Sequence, residues 1–205
     1  MFKTIDLADL TKVKAQLDEF NWTFKHGDNI MYNFEVLSAL YGGRKNLSKA
    51  EVFNKPITIT IVSILEAMLI DFLDRLHIAT NHLPKNLPPE TVVKIKAEIE
   101  KAKRPTKTSD GRIYYRRKMY KLSEIVGILE KDELFGKKGS EIYGLLGFFG
   151  DMRNRVHIEN YHGVLESDES LVFSSPRLAS LEQVLELFWN KMVSDYKRPW
   201  NRARA

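Results

Sequence analysis

The stretch ITITIVSILEAMLIDFLDRLHI, residues 57–78, is the most apolar segment of the chain and decides its fold. A membrane span requires roughly 20 nearly uncharged residues. This segment is instead interrupted by four charged residues, Glu66, Asp71, Asp74 and Arg75. The pattern therefore predicts a buried core helix. Residues 57–61 alternate between isoleucine and threonine as a strand does, so a strand remains an alternative there.

Helical periodicity also dominates on both sides of this segment, and convincing pairs of strands are scarce. The predicted helices cover about residues 6–26, 29–40, 57–78, 88–103, 116–133, 139–161 and 178–196. Gly42-Gly43 is interpreted as the stop signal after the second helix, and residues 163–175 as a loop or short hairpin. These elements predict an all-α fold, a single helical bundle over residues 1–205 with a basic loop or helix inserted at 101–118.

The composition narrows the classes to which the chain can belong. With 205 residues, 43% of them hydrophobic and 29% charged, the chain can bury a core and is not of the disordered class. The absence of cysteine excludes disulfides, thiolate metal sites and cysteine nucleophiles, and it fits a reducing compartment. No basic stretch followed by an apolar one begins the sequence, so no export signal is expected. The expected location is cytoplasmic, without membrane association.

Positive charge is concentrated in residues 101–121, where nine basic residues stand against one acid, Asp110. The resulting excess of +8 is larger than the net charge of +5 of the whole chain. Interleaved arginines and tyrosines contact phosphates and stack on unpaired bases, so this segment is a candidate for binding nucleic acid. The alternative is a solvated helix face whose tyrosines pack inward. The candidate residues are Arg112, Tyr115, Arg116, Arg117 and Lys118.

A second candidate site lies on the helix predicted over 139–161, which contains Arg153, Asn154 and His157. Residues four apart lie on one side of a helix, so Arg153 can bind a phosphate while His157 transfers a proton. On an ideal helix Arg153 falls within an apolar stripe, where an unpaired charge is costly. The stripe is centred on Phe149 and comprises Ile142, Leu145, Leu146, Met152 and Val156. Arg153 therefore either opens onto a polar groove or forms an ion pair with a buried acid such as Glu66.

An all-α bundle with Arg-Asn-x-x-His on a late helix resembles the HEPN families, which include RNA-cutting toxins and abortive-infection effectors. Their motif is an arginine, a polar residue and a histidine, with four to six residues between Arg and His. Arg153 and His157 have the residue types of this motif but are separated by three residues. Arg155 and His162 have six residues between them, but Val156 follows the arginine where the family has a polar residue. The first pair is therefore preferred.

The resemblance, which extends to the core helix 57–78, implies a metal-independent endoribonuclease of a toxin–antitoxin or abortive-infection system. It implies a homodimer whose two motif helices face each other and bind RNA, which is cut by attack of a ribose 2′-hydroxyl. In that cleft Arg153 holds the scissile phosphate, Asn154 orients the phosphate or the histidine, and His157 acts as general acid or base. No metal or cofactor is implied, and a neutralising partner protein is expected.

Two other functions remain open. One is a non-catalytic HEPN-like module that binds RNA, a nucleotide or a partner protein, which the short gap between Arg153 and His157 favours. The other is a helical interaction protein in which Arg153 simply pairs with Glu66. Whether Arg153 lies at an open cleft or in a closed core distinguishes these alternatives.

Overall fold

The computed structural model describes residues 2–21, 24–78, 93, 97, 104–107, 113–116, 121–131, 133–154 and 168–196. The helices with defined bounds are α1 (Leu10–Phe20), α2 (Phe24–Lys45), α3 (Asn54–Ile78), α4 (Leu122–Lys131), α5 (Glu141–Asn154), α6 (Glu169–Val172) and α7 (Ser175–Asp195). A 3₁₀ turn, Ala50–Phe53, precedes α3, and two short strands, β1 (Arg104–Lys107) and β2 (Ile113–Arg116), form the only ladder in these ranges. The predicted all-α class is therefore confirmed, with one small hairpin added.

Helix α3 lies at the centre of the bundle and packs against α2, α5 and α7. Its fully buried side chains include Ile57, Ile61, Ile64 and Phe72. Within residues 50–73, an 18-residue stretch has the mean hydropathy of a membrane span, 1.9, but 67% of it is buried inside the protein. The buried core helix predicted over 57–78 is confirmed. The strand alternative for its first residues is wrong, because the helix already begins at Asn54 and the Thr60 hydroxyl donates back to the Pro56 carbonyl at 2.8 Å.

Helix α7 packs against α1 and α2 through Trp189, which is fully buried. The indole packs edge-on against Phe20 of α1 and Phe34 of α2, with centroid distances of 5.2 Å in both cases. Its Nε1 donates to Gln16 Oε1 at 3.0 Å, so the one polar atom of the side chain is also satisfied. The helix predicted over 178–196 is confirmed and begins at Ser175.

The first helix is shorter than predicted. It begins at Leu10 because the carboxylate of Asp9 accepts a hydrogen bond from the Lys12 N–H at 3.1 Å and caps the helix. It ends at Phe20, and Asn21 has an extended backbone. The prediction of one continuous helix over 6–26 is therefore wrong at both ends.

The second helix is longer than predicted, since α2 continues through Gly42 and Gly43 to Lys45. Both glycines keep negative φ values and so do not form the left-handed end that glycine favours. An added Cβ on Gly43 would lie 3.1 Å from the ring of Phe53. The predicted stop is wrong, because Gly43 serves the close approach of the 3₁₀ turn to α2.

The basic insertion contains an antiparallel ladder, which corrects the prediction of loop and helix. The register pairs Arg104 with Arg116 and Lys107 with Ile113. The β-branched and aromatic run from Ile113 to Tyr115 favours a strand, and this signal outweighed the helical pattern. As a result α4 begins at Leu122 and not at residue 116.

The stretch around residues 171–173 is also different from its prediction. Instead of a loop or hairpin it forms the short helix α6. Asp168 caps this helix, since its carboxylate accepts from the Ser170 N–H at 2.7 Å. A hydrogen bond with the Ser170 side chain, and after it the one from the Ser170 backbone N–H, holds the pKa of Asp168 below its ordinary value. The capping sequence Asp-Glu-Ser was the signal for a helix start.

Candidate functional site

Helix α5 carries the Arg-Asn pair of the predicted motif and presents an apolar face to the core. Leu146, Phe149 and Met152 are buried, and Ile142 and Leu145 pack partly buried against the same core. The predicted stripe is thus confirmed up to residue 152, and its last member, at 156, lies outside the described residues. Because this face packs on the core, it fixes the direction in which the side chain of the next residue, Arg153, points away from α5.

Gly150 brings α5 close to α4. An added Cβ at this position would lie 3.1 Å from Leu122 Cδ2, tighter than ordinary side-chain contact. Gly150 itself is buried. This close approach fixes the position of the C-terminal turn of α5, and therefore the position of Arg153.

Arg153 forms an ion pair with Glu66 of α3. Its Nη2 lies 3.2 Å from Glu66 Oε2. The side chain of Arg153 is 42% exposed and that of Glu66 is 18% exposed. The ion pair predicted as one of two alternatives is confirmed. Arg153 does not lie in a closed core, however, because almost half of its side chain faces solvent.

The burial of Glu66 explains why the pair forms. Its neighbours on α3, Val62, Leu65 and Leu69, are buried. A carboxylate in such surroundings requires a cation or several hydrogen bonds to offset its desolvation. Arg153 supplies the cation. A guanidinium has five N–H donors in a planar fork, so it can hold a carboxylate on one edge and bind a phosphate oxygen on another.

Asn154 is the last residue of α5 and is exposed. It follows Arg153 directly, so these two predicted site residues lie together at the end of one helix. The third, His157, lies outside the described residues, as do Arg155 and His162 of the alternative pair. The catalytic assignment of Arg153, Asn154 and His157 stays a prediction.

The basic segment is described only at its two strands. Tyr115 and Arg116 lie on β2, opposite Pro105 and Arg104 of β1. The remaining candidates, Arg112, Arg117 and Lys118, lie outside the described residues. The ladder brings basic residues from both ends of the segment into register, which a single helix over the same residues would not do.

Sequence reasoning missed a second side-chain pairing, that of Asp71 on α3 with His26 on α2. His26 approaches the Asp71 carboxylate from this neighbouring helix. Its Nδ1 lies 3.6 Å from Asp71 Oδ1, longer than a hydrogen bond, and the carboxylate is only 2% exposed. The signal was Asp71 itself, because an acid inside the apolar stretch 57–78 predicts a partner on a neighbouring helix. In the described ranges, no three acidic or histidine side chains converge on a position that could hold a metal ion.

Comparison with known proteins adds no relative. No protein-family model matches the chain, no curated protein matches it, and no solved structure matches it. The likeness to the HEPN families therefore rests on the residues of α3 and α5 and on the helical class.

Proposed function

We propose that this protein is a HEPN-like, metal-independent endoribonuclease that cuts RNA at the C-terminal end of α5. The observation that carries the proposal is the Glu66–Arg153 pair, in which a largely buried carboxylate holds a guanidinium that remains 42% exposed. A charged donor that is both fixed and accessible is what phosphate binding in a transition state requires.

The proposed reaction divides the chemistry among Arg153, Asn154 and His157, which are close together in the sequence. The ribose 2′-oxygen attacks the adjacent phosphorus, a new O–P bond forms, and the bond from phosphorus to the 5′-oxygen breaks. His157 takes the proton of the 2′-hydroxyl or returns one to the departing 5′-oxygen. Arg153 binds the phosphate oxygens as negative charge grows on them, and Asn154 orients the phosphate or the imidazole. Histidine titrates near neutrality and suits this exchange.

The Glu66–Arg153 pair is not the part of the protein that attracts RNA from a distance. Glu66 and Arg153 together carry no net charge, so they do not draw a polyanion over long distances. The segment 101–121, with its excess of +8, supplies that attraction. In the proposal, Arg112, Tyr115, Arg116, Arg117 and Lys118 contact the RNA. The complete enzyme is a cytoplasmic homodimer with a neutralising partner protein.

The second candidate function is a non-catalytic HEPN-like module that binds RNA, a nucleotide or a partner protein. The observation that favours it is the same ion pair. Glu66 already compensates the charge of Arg153, so the arginine has a structural reason to be present. A bound phosphate would have to share the guanidinium with this carboxylate.

Cleavage of single-stranded RNA in EDTA tests the first function. The variants are His157→Ala, Arg153→Ala and Arg153→Lys, with Lys14→Ala as a control that removes an exposed cation on α1. We expect wild type and Lys14→Ala to cut RNA and His157→Ala and Arg153→Ala to lose at least about 100-fold in rate. Circular dichroism and light scattering must show that all variants keep the wild-type fold and oligomeric state.

The outcomes separate the two functions. RNA binding without cleavage by the wild-type protein would support the non-catalytic module. Cleavage that survives in both folded alanine variants would place the active site elsewhere and overturn the assignment of this helix.

A further inference from the structure

A cleft of about 370 Å³ lies between the N-terminal segment 2–8 and helix α2. Its volume is within the range of small-molecule sites, roughly 300–1,000 Å³. None of its lining residues belongs to α5 or to the basic hairpin. It is therefore separate from the residues assigned to the ribonuclease site.

Hydrogen bonds hold the N-terminal segment 2–8, which forms one side of the cleft, at two points. At one, Glu186 Oε1 of α7 accepts hydrogen bonds from the backbone N–H groups of Lys3 and Thr4, and from Thr4 Oγ1 at 3.0 Å. At the other, Ser38 Oγ of α2 donates to the Leu7 carbonyl at 2.9 Å. These contacts hold an irregular segment against two helices, so the cleft is preformed.

The charge lining the cleft is predominantly positive. Lys3, Lys12 and Lys45 are exposed and contribute three ammonium groups, against one lining carboxylate, that of Asp6. Asp6 Oδ1 already accepts a hydrogen bond from the Ala8 N–H at 3.1 Å. Within the described part of the chain, no carboxylate forms an ion pair with any of the three lysines. Three cations around one concave surface favour an anion with more than one negative charge.

The inner surface of the cleft is aromatic. Phe2 and Tyr41 are both lining residues, and their rings meet edge-to-face with centroids 6.1 Å apart. The phenol of Tyr41 is occupied, since it donates to the buried carboxylate of Glu182. Tyr41 is only 7% exposed, so it offers the cleft an edge of its ring and not its hydroxyl, and the partly exposed ring of Phe2 supplies the accessible surface for a flat apolar group.

We propose that this cleft binds a small phosphate monoester that carries an aromatic ring. The three lysines hold the dianionic phosphate, and the ring of the ligand lies against Phe2 and the exposed edge of Tyr41. The assignment does not depend on the ribonuclease activity, because it uses neither Arg153 nor His157.

Phenyl phosphate is the probe, titrated into the full chain and followed by the amide NMR shifts of residues 3–8 and 41–45. Inorganic phosphate and phenol are the two partial probes. We expect saturable binding of phenyl phosphate with Kd below about 1 mM, and binding at least about tenfold weaker for either partial probe. Raising the ionic strength should weaken the binding of phenyl phosphate more than that of phenol.

Charge-matched variants complete the test. The triple change Lys3→Gln, Lys12→Gln and Lys45→Gln is expected to weaken binding at least about tenfold. The control triple change Lys49→Gln, Lys137→Gln and Lys138→Gln removes the same charge from exposed positions that do not line the cleft and should leave Kd unchanged. Equal losses in the two triple variants, no saturation below about 10 mM probe, or shifts that map to other residues would each overturn the proposal.

Discussion

Breaking the Glu66–Arg153 pair is expected to cost more than breaking the Lys14–Asp18 pair, although their N–O distances are nearly equal, 3.2 and 3.3 Å. The difference lies in exposure. Lys14 and Asp18 are both 57% exposed, whereas Glu66 is 18% exposed. Two unit charges 4 Å apart attract by about 1 kcal/mol in water and about 4 kcal/mol at an effective dielectric of 20.

Exposure decides where each pair falls between these limits. An exposed helical pair contributes about 0.3–0.5 kcal/mol, which we expect for Lys14–Asp18. For Glu66–Arg153 the 42% exposure of the arginine keeps solvent screening substantial, so we expect a coupling of about 1–2 kcal/mol. Arg153→Ala alone should cost more than Glu66→Ala alone, since it leaves a largely buried carboxylate without its cation.

The assay is a double-mutant cycle on each pair, with alanine at one position, at the other and at both. Urea titrations give the free energy of unfolding at low salt and at about 1 M salt, where exposed charges are screened within roughly 3 Å. The Glu66–Arg153 coupling should persist in part at high salt, and the Lys14–Asp18 coupling should vanish. Equal couplings for the two pairs, or none for Glu66–Arg153, would refute the idea that Glu66 holds the arginine in place.

Two further predictions concern packing and pH. Nothing lies within 4 Å of a Cβ added at Gly144, so Gly144→Ala should raise the free energy of unfolding by about 0.5–1 kcal/mol. Gly150→Val should lower the free energy of unfolding by about 1–3 kcal/mol, because the valine must displace Leu122. The opposite order in urea titrations would contradict the close packing of α5 on α4. Burial, together with the hydrogen bond to Glu182, raises the pKa of Tyr41 above its ordinary value, so its contribution to stability is complete below about pH 10 and is lost as pH rises further, by up to about 1.4 kcal/mol per pH unit. In urea titrations from about pH 8 to pH 11, the free energy of unfolding of Tyr41→Phe should fall less steeply with pH than that of the wild type. Tyr32 is exposed, so Tyr32→Phe serves as the control. If the free energy of unfolding fell as steeply in Tyr41→Phe as in Tyr32→Phe, Tyr41 would not be the source of the alkaline loss.

The central helix was predictable because its pattern allows few alternatives. A stretch as long and apolar as 57–78 either spans a membrane or forms a core, and its charged residues favoured the core. The same charges also predicted pairing. A charge within an apolar stripe needs a partner or a polar groove, and an ion pair of Arg153 with an acid such as Glu66 was one of these two alternatives. Periodicity thus predicted two helices and reduced the surroundings of Arg153 to two possibilities, of which the pair with Glu66 is observed.

The features that sequence reasoning missed depend on contacts between distant residues. Gly42-Gly43 is a reasonable stop signal by local rules, yet α2 continues because Phe53 packs against Gly43. The cleft behind the N-terminal segment depends on Glu186, more than 180 residues away along the chain. Local propensity contains no information about such partners, and this is why the lysines of the cleft were not recognised as a group.

The identity of the cation at position 153 links the structural and functional roles of the pair. A lysine could neutralise Glu66, but its ammonium is a point charge without a second planar edge. An arginine can stay bound to the carboxylate while its other N–H groups bind a phosphate oxygen. If the pair were only structural, Arg153→Lys would preserve both the stability and the RNA cleavage of the protein. If Arg153 acts on phosphate, the same substitution preserves stability and reduces cleavage, so this single variant separates the ion pair as a structural contact from the ion pair as part of an active site.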